Sequence, residues 1–283
     1  MKTFHAVIPE SLDEAVSFLA RFGPEARVIA GGTDLVVEMK EDKRAPGVLV
    51  DISRLSELRG VRVEGDAVRV GALVTHAEVA GSPLVRSAAP VLAAACGQIG
   101  SPQIRARGTI GGNLCTASPA GDCIPPLFAL EASVEVAGQG GTRTIDVESF
   151  FVGPKKSALA PDEIVLGVRF PALGADYVSF FRKLGQRKSL AISVVSVAFV
   201  ARRVRPDVFE GVKVALGAVA PTVVRARTVE RALSGKSLDI ETARHVSKLA
   251  FRDCMPITDI RGSQGYRQEM ACNLLYEVLV DLL

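Results

Sequence analysis

The chain has 283 residues, 48% hydrophobic and 23% charged, enough apolar material for two or three compact units. Its 34 Lys and Arg against 31 Asp and Glu leave a net charge of +3, with no basic stripe and interleaved aromatics, so a nucleic-acid surface is not indicated. The opening MKTFHAVIPESLDEAV holds no long apolar segment and no later run reaches about 18 apolar residues, so no membrane span is expected and the cytoplasm is the expected compartment. In chain order, FHAVIP reads as a short strand and SLDEAVSFLARFG as a helix, with Ser11 as N-cap, Glu14 completing an S-x-x-E capping box and Gly23 as the stop. Leu12, Ala15, Val16, Leu19 and Ala20 share one face of that helix. ARVIA is a buried strand, GGTDL a turn, VVEMK a short helix and GVLVDIS another strand, which together make a β-α-β-α-β unit.

From about residue 61 the pattern changes. VRVEGDAVRVGA reads as a hairpin around Gly65 and Asp66, and SPLVRSAAPVLAAACGQIG as a helix in which Pro90 marks a break or restart. CIPPLFALEASVEVAG passes from a short helix into a strand, and QGGTRTIDVESFF closes a second hairpin. Proline and glycine in FPALGADY, residues 170 to 177, suggest a boundary. Beyond it YVSFFRKL, AISVVSVAFVARR and GVKVALGAVAPT read as three antiparallel strands, followed by helices in RARTVERALSG, DIETARHVSKLAFRD and GSQGYRQEMACNLLYEVLVDLL.

The five cysteines form no C-x-x-C pair, which argues against a disulfide framework and against a zinc or iron–sulfur cage within the chain. They read as small buried hydrophobes, and His5, His76 and His245, without ligand spacing, as structural. No G-x-S-x-G elbow, G-x-G-x-x-G or G-x-x-x-x-G-K-[ST] occurs. What remains is two glycine segments, AGGTDL at 30 to 35 and TIGGN at 109 to 113. Each is a tight turn on one reading. On the other, each frees backbone N–H groups to face a ligand, and two such nests converge on one pyrophosphate. A chain that holds a large cofactor needs no acid or base of its own, so no catalytic residue is assigned.

The segments RVIAGGTDLVVEMK, SPQIRARGTIGGNLCTASPAGDCIPPLFAL, FFVGPKKSALAPDEIV, FFRKLGQRKSLAISVVSVA, GAVAPTVVRA and DIRGSQGYRQEMACNLL, in this order, span nearly the whole chain. They resemble the FAD-binding subunit of the xanthine dehydrogenase family of molybdenum hydroxylases, the medium subunit of carbon monoxide dehydrogenase relatives. The resemblance implies an α+β fold: a two-subdomain, vanillyl-alcohol-oxidase-like FAD domain over 1–173, divided near residue 56, then a C-terminal α+β domain over 174–283 with a three-stranded antiparallel sheet and helices. It implies noncovalent FAD held by Arg27, Val28, Ile29, Ala30, Gly31, Gly32, Thr33 and Asp34 on one side and Thr109, Ile110, Gly111, Gly112 and Asn113 on the other. Asp122 matches an FAD-contacting aspartate and Lys183 a lysine near the flavin ring. Ile99 and Val165 fall at apolar flavin contacts and read equally as core; Gln103, Arg105 and Ser118 are weaker candidates, and for Arg105 and Arg107 a solvated or partner-facing role is also open.

By the same resemblance, [2Fe–2S] clusters and molybdopterin belong to partner subunits, and electrons pass from FAD to NAD, oxygen or a quinone. The inserted cysteine-rich loop of hydroxybenzoyl-CoA reductases has no counterpart in this sequence. A stand-alone FAD oxidoreductase and a non-redox nucleotide-binding protein are the rival readings.

Overall fold

The hydrophobic rhythm of the chain changes twice, near residues 61 and 177, and each change begins a new sheet. The computed structural model describes residues 2–187 and 190–283; Lys188 and Ser189 of the FFRKLGQRKSLAIS segment lie outside the described residues. The first sheet comes from β1 (His5–Val7), α1 (Leu12–Phe22), β2 (Ala26–Ile29), α2 (Leu35–Lys40) and β3 (Val48–Asp51). Its strands are parallel in the order β1-β3-β2, with Ala6 and Arg27 both opposite Leu49. Parallel neighbours need a crossover, and α1 and α2 supply it. Ser11 caps α1 by accepting from the Glu14 N–H at 3.2 Å, while the Glu14 carboxylate accepts from the Glu10 N–H at 2.7 Å, one residue earlier than a closed capping box requires. The expected apolar face of α1 places Ala15, Val16 and Leu19 in one core with Val48 and Val50.

The second sheet opens with the expected hairpin of β4 (Val61–Glu64) and β5 (Ala67–Gly71). Six short helices follow: α3 (His76–Gly81), α4 (Pro83–Ala88), α5 (Pro90–Gly97), α6 (Pro102–Arg107), α7 (Ile110–Thr116) and α8 (Ile124–Ala129). Pro83, Pro90 and Pro102 each sit in the first turn of a helix, where the missing N–H costs nothing, and Pro90 restarts the helix as its position suggested. Then come β6 (Ser133–Gly138), β7 (Gly141–Asp146), α9 (Val147–Phe150), β8 (Phe151–Gly153), β9 (Lys156–Ser157) and β10 (Ile164–Pro171). The sheet order is β4-β5-β10-β6-β7, so β10, which the reading along the chain passes over, is its central strand, with Val168 opposite both Val70 and Val134.

The third sheet holds the three expected long strands, β11 (Tyr177–Gly185), β12 (Ser193–Arg205) and β13 (Val208–Gly217), and one more. The expected three-stranded sheet is four-stranded: β14 (Val224–Arg225) pairs with Ala215 and Leu216 of β13, and two residues are too few to carry a periodicity of their own. Three helices, α10 (Arg227–Leu233), α11 (Ile240–Lys248) and α12 (Gln264–Val280), cover one face. β12 is buried on both faces, which explains its unbroken apolar run: Val195, Val197, Phe199 and Ala201 join the core under these helices, and Ala198 and Val200 join the core of the second sheet. Among the described residues no helix is long and apolar enough to cross a membrane.

A buried ion cluster ties the third sheet to the second. The Arg225 side chain, 1% exposed, donates to Glu230 at 2.6 Å, to Glu148 at 3.2 Å and to the Phe128 carbonyl at 3.4 Å, and Glu230 also accepts from the Val214 N–H at 2.8 Å. Removing one partner of a buried pair strands the other charge. Glu230→Ala is therefore expected to lower the unfolding free energy by about 3–5 kcal/mol in urea denaturation of the whole chain, and Glu230→Gln, which keeps an acceptor for Val214, by less.

Candidate functional site

The first glycine segment leaves β2 and turns before α2. Gly32 takes φ +74°, a left-handed conformation that glycine adopts without a Cβ penalty. Gly31 serves a different purpose: a Cβ there would lie 1.9 Å from the Arg107 carbonyl oxygen, so only glycine lets this turn press against the end of α6. Among the described residues the backbone N–H groups of Gly31, Gly32, Thr33 and Asp34 donate to no partner. Successive unpaired N–H groups in a turn make a concavity suited to an anion.

The second segment is not a turn. Thr109 accepts from the Gly112 N–H at 3.0 Å and so caps α7, placing both glycines inside its first turn. The Ile110 and Gly111 N–H groups bond back to Val74 and Ala72 at 3.0 Å, and that of Asn113 to Thr109. The Ile110, Gly111, Gly112 and Asn113 donors expected to be free here are spent on the fold. Gly111 is needed for packing, since a Cβ would stand 2.7 Å from that of Ala72, whereas a Cβ on Gly112 would meet only the Thr109 hydroxyl at 3.0 Å.

Between the two segments lies an open cleft. Arg27 through Leu35 form one wall, and Gly108, Thr109, Gly111, Gly112, Asn113 and Thr116 the other; His76 and Val165 complete the lining. The walls are tied together. Thr116 Oγ1 donates to Asp34 at 2.9 Å, and Lys155 reaches Glu38 of α2 at 3.2 Å. Burial alone would raise the Glu38 pKa, but hydrogen bonds from Lys155 and Arg44 outweigh it and hold it below its ordinary value of 4.5. That contribution to stability is present above about 4.5 and is lost as the pH falls through the lowered value. Asn113 Oδ1 is buried with no partner.

Not every expected contact borders this cleft. Ile110 is fully buried in the core of the second sheet, and Ile99 packs half-buried against it. Asp122 and Lys183 find each other: both side chains are 7% exposed and their charges are 2.5 Å apart, with Ser193 donating to Asp122 at 2.5 Å and Lys183 reaching the Gln98 carbonyl at 3.3 Å. Burial pushes the Asp122 carboxyl up, and the Lys183 ammonium and Ser193 hydroxyl pull against it. Lys183 borders a second depression with Gln98, Gly100, Arg105 and Arg187. Arg105 is anchored on the Ile99 carbonyl at 2.9 Å, Gln103 and the Arg107 side chain face solvent, and the Ser118 hydroxyl accepts from the Ala120 N–H at 3.3 Å. Sequence reasoning missed Glu38, Thr116 and Lys155, whose pairing joins residues far apart in the chain, and took His76 as merely structural although it lines the cleft.

Comparison with known proteins decides the family. The family described as "FAD binding domain in molybdopterin dehydrogenase" matches residues 2–173, and "CO dehydrogenase flavoprotein C-terminal domain" matches 180–282. The chain belongs to the FAD-binding medium subunits of molybdenum hydroxylases. It is 34% identical to the carbon monoxide dehydrogenase medium chain of Hydrogenophaga pseudoflava, over 98% of this chain and 95% of that one. It is 35% identical to the nicotinate dehydrogenase FAD-subunit of Eubacterium barkeri, over 100% and 97%. A solved structure of Hydrogenophaga pseudoflava carbon monoxide dehydrogenase lacking the Mo-pyranopterin moiety superposes with a TM-score of 0.94, covering 98% of this chain and 96% of that one at 34% identity.

In this medium-subunit family member the Asp122–Lys183 pair is a testable piece of architecture. Lys183→Ala leaves a buried carboxylate unpaired and is expected to lower stability by about 3–5 kcal/mol in denaturant titration. The double variant Lys183→Met with Asp122→Asn is expected to recover most of that loss, giving a non-additive cycle; additive losses would mean the two side chains do not depend on each other.

Proposed function

We propose that this chain works in the cytoplasm as the electron-transfer flavoprotein of a heteromeric molybdenum hydroxylase, binding FAD noncovalently in the cleft between β2–α2 and α7. The observation that carries the reading is the row of unpaired N–H groups from Gly31 to Asp34 facing a cleft on whose opposite wall the Gly111, Gly112 and Asn113 amides are already bonded. Such a row fits a pyrophosphate, and the unpartnered Asn113 Oδ1 offers an acceptor to a ribose or ribitol hydroxyl. FAD, when bound, supplies one-electron and two-electron chemistry, so it suits a junction between [2Fe–2S] clusters of a small partner subunit and NAD or another acceptor.

The chain's own residues then have three tasks. Residues Arg27 to Asp34, with Thr109, Gly111, Gly112 and Asn113, bind and orient the dinucleotide; Val165 borders the same cleft as an apolar contact, and Ile110 supports the wall from the core. Ile99, Asp122 and Lys183 are assigned to the flavin-ring end, where the ion pair keeps a cation at a fixed point in a site shielded from water. Residues 174–283 back this end through Lys183 and Ser193. Clusters and molybdopterin belong to partner subunits, as the medium-chain names of the relatives suggest.

The test is the visible spectrum of the purified chain and the mass of the nucleotide released on heating. A flavin spectrum without iron–sulfur shoulders, releasing intact FAD, supports the proposal; a colourless chain that also fails to take up added FAD contradicts it. Gly112→Val places a branched side chain on the cleft wall and is expected to weaken FAD binding by roughly tenfold or more, about 1.4 kcal/mol, with the fold retained by circular dichroism.

A further inference from the structure

His76, Cys96 and Cys123 come from three separate places, the first turn of α3, the body of α5 and the residue before α8, and their donor atoms meet in the interior. The two sulfurs are 3.4 Å apart and Cys123 Sγ lies 3.5 Å from His76 Nδ1, with all three atoms within 4.8 Å of one another. The three side chains are buried, and the two thiols have no part in the cofactor cleft.

We propose that these three residues bind a thiophilic divalent cation of the zinc class. Zinc–sulfur and zinc–nitrogen bonds of about 2.3 and 2.0–2.1 Å in tetrahedral array separate neighbouring donors by about 3.5–3.8 Å. The Cys123–His76 separation of 3.5 Å lies at that spacing, the two sulfurs at 3.4 Å sit slightly closer than it, and all three atoms lie within 4.8 Å, so small side-chain shifts complete the set. Charge also favours a dication. Two thiolates and one Zn²⁺ sum to zero, so the loaded site buries no net charge. Binding is a ligand exchange with no redox change: two S–H protons leave as two metal–sulfur bonds form and the neutral imidazole donates its Nδ1 lone pair. Three protein donors with a solvent-filled fourth position is a known zinc set, and His76, which borders the cleft, gives the ion a route in.

A neutral chain of S–H···S and S–H···N hydrogen bonds satisfies the same distances, and so the test must separate the two. The whole chain, reduced and stripped of metal without unfolding, is titrated anaerobically with Co²⁺. The proposal predicts one Co²⁺ per chain, a sulfur-to-cobalt charge-transfer band in the near ultraviolet, release of two protons, and loss of the band when Zn²⁺ is added. Cys123→Ser and His76→Gln are expected to lose or shift the band, and Cys272→Ser, remote on α12, to retain it. No band in the wild-type chain while all five thiols titrate after unfolding would overturn the proposal, as would a band that survives in Cys123→Ser, or a chain mass that reveals a Cys96–Cys123 disulfide resistant to mild reduction. Because the wild-type titration reads metal directly, a variant that fails to fold leaves the answer intact.

Discussion

The architecture depends on one close approach, that of Gly31 to the Arg107 carbonyl. A side chain at residue 31 would overlap that oxygen, so the turn after β2 can seat against the end of α6 only as bare backbone. Once seated, the turn cannot fold its own N–H groups back into hydrogen bonds, and they stay directed at the cleft. The first sheet thus supplies the donors and the second sheet the wall. The two glycine segments look alike in sequence and do opposite things: Gly32 bends the chain at positive φ, while Gly111 lets α7 lie against Ala72.

Around that contact, polar pairs hold the parts in register. Thr116 to Asp34 and Lys155 to Glu38 cross the cleft at exposed positions and each contributes well under about 1 kcal/mol. The buried pairs are different in kind: Asp122 with Lys183, and Arg225 with Glu148 and the Phe128 carbonyl, join the second and third sheets, while Glu230 holds Arg225 in place from its own side. The third sheet is therefore fixed to the body of the molecule, while the first sheet shares a core with Leu73 and Ile164 of the second unit.

Much of this was legible in the residues. The amphipathic face of α1, the hairpin at Gly65, the restart at Pro90 and the long apolar run of β12 each carry their own periodicity or punctuation. The two walls of the cleft were legible through the two glycine segments. What was not legible depends on contacts between distant residues. Nothing in TIGGN signals that Thr109 will cap a helix and consume the amides, because that outcome needs Val74 and Ala72 from the preceding strand connection. The central place of β10, the pairing of Asp122 with Lys183 and the meeting of Cys96, Cys123 and His76 likewise join segments whose spacing in sequence carries no pattern.

The central claim is that the first glycine segment, and not the second, offers free backbone donors to the ligand. Residue-resolved amide hydrogen exchange on the FAD-free and FAD-loaded chain tests it directly. The account predicts that Gly31, Gly32, Thr33 and Asp34 exchange fast without FAD and become protected with it, while Gly111, Gly112 and Asn113 are protected in both states. Unchanged exchange at residues 31 to 34, with new protection confined to 110 to 113, would contradict it.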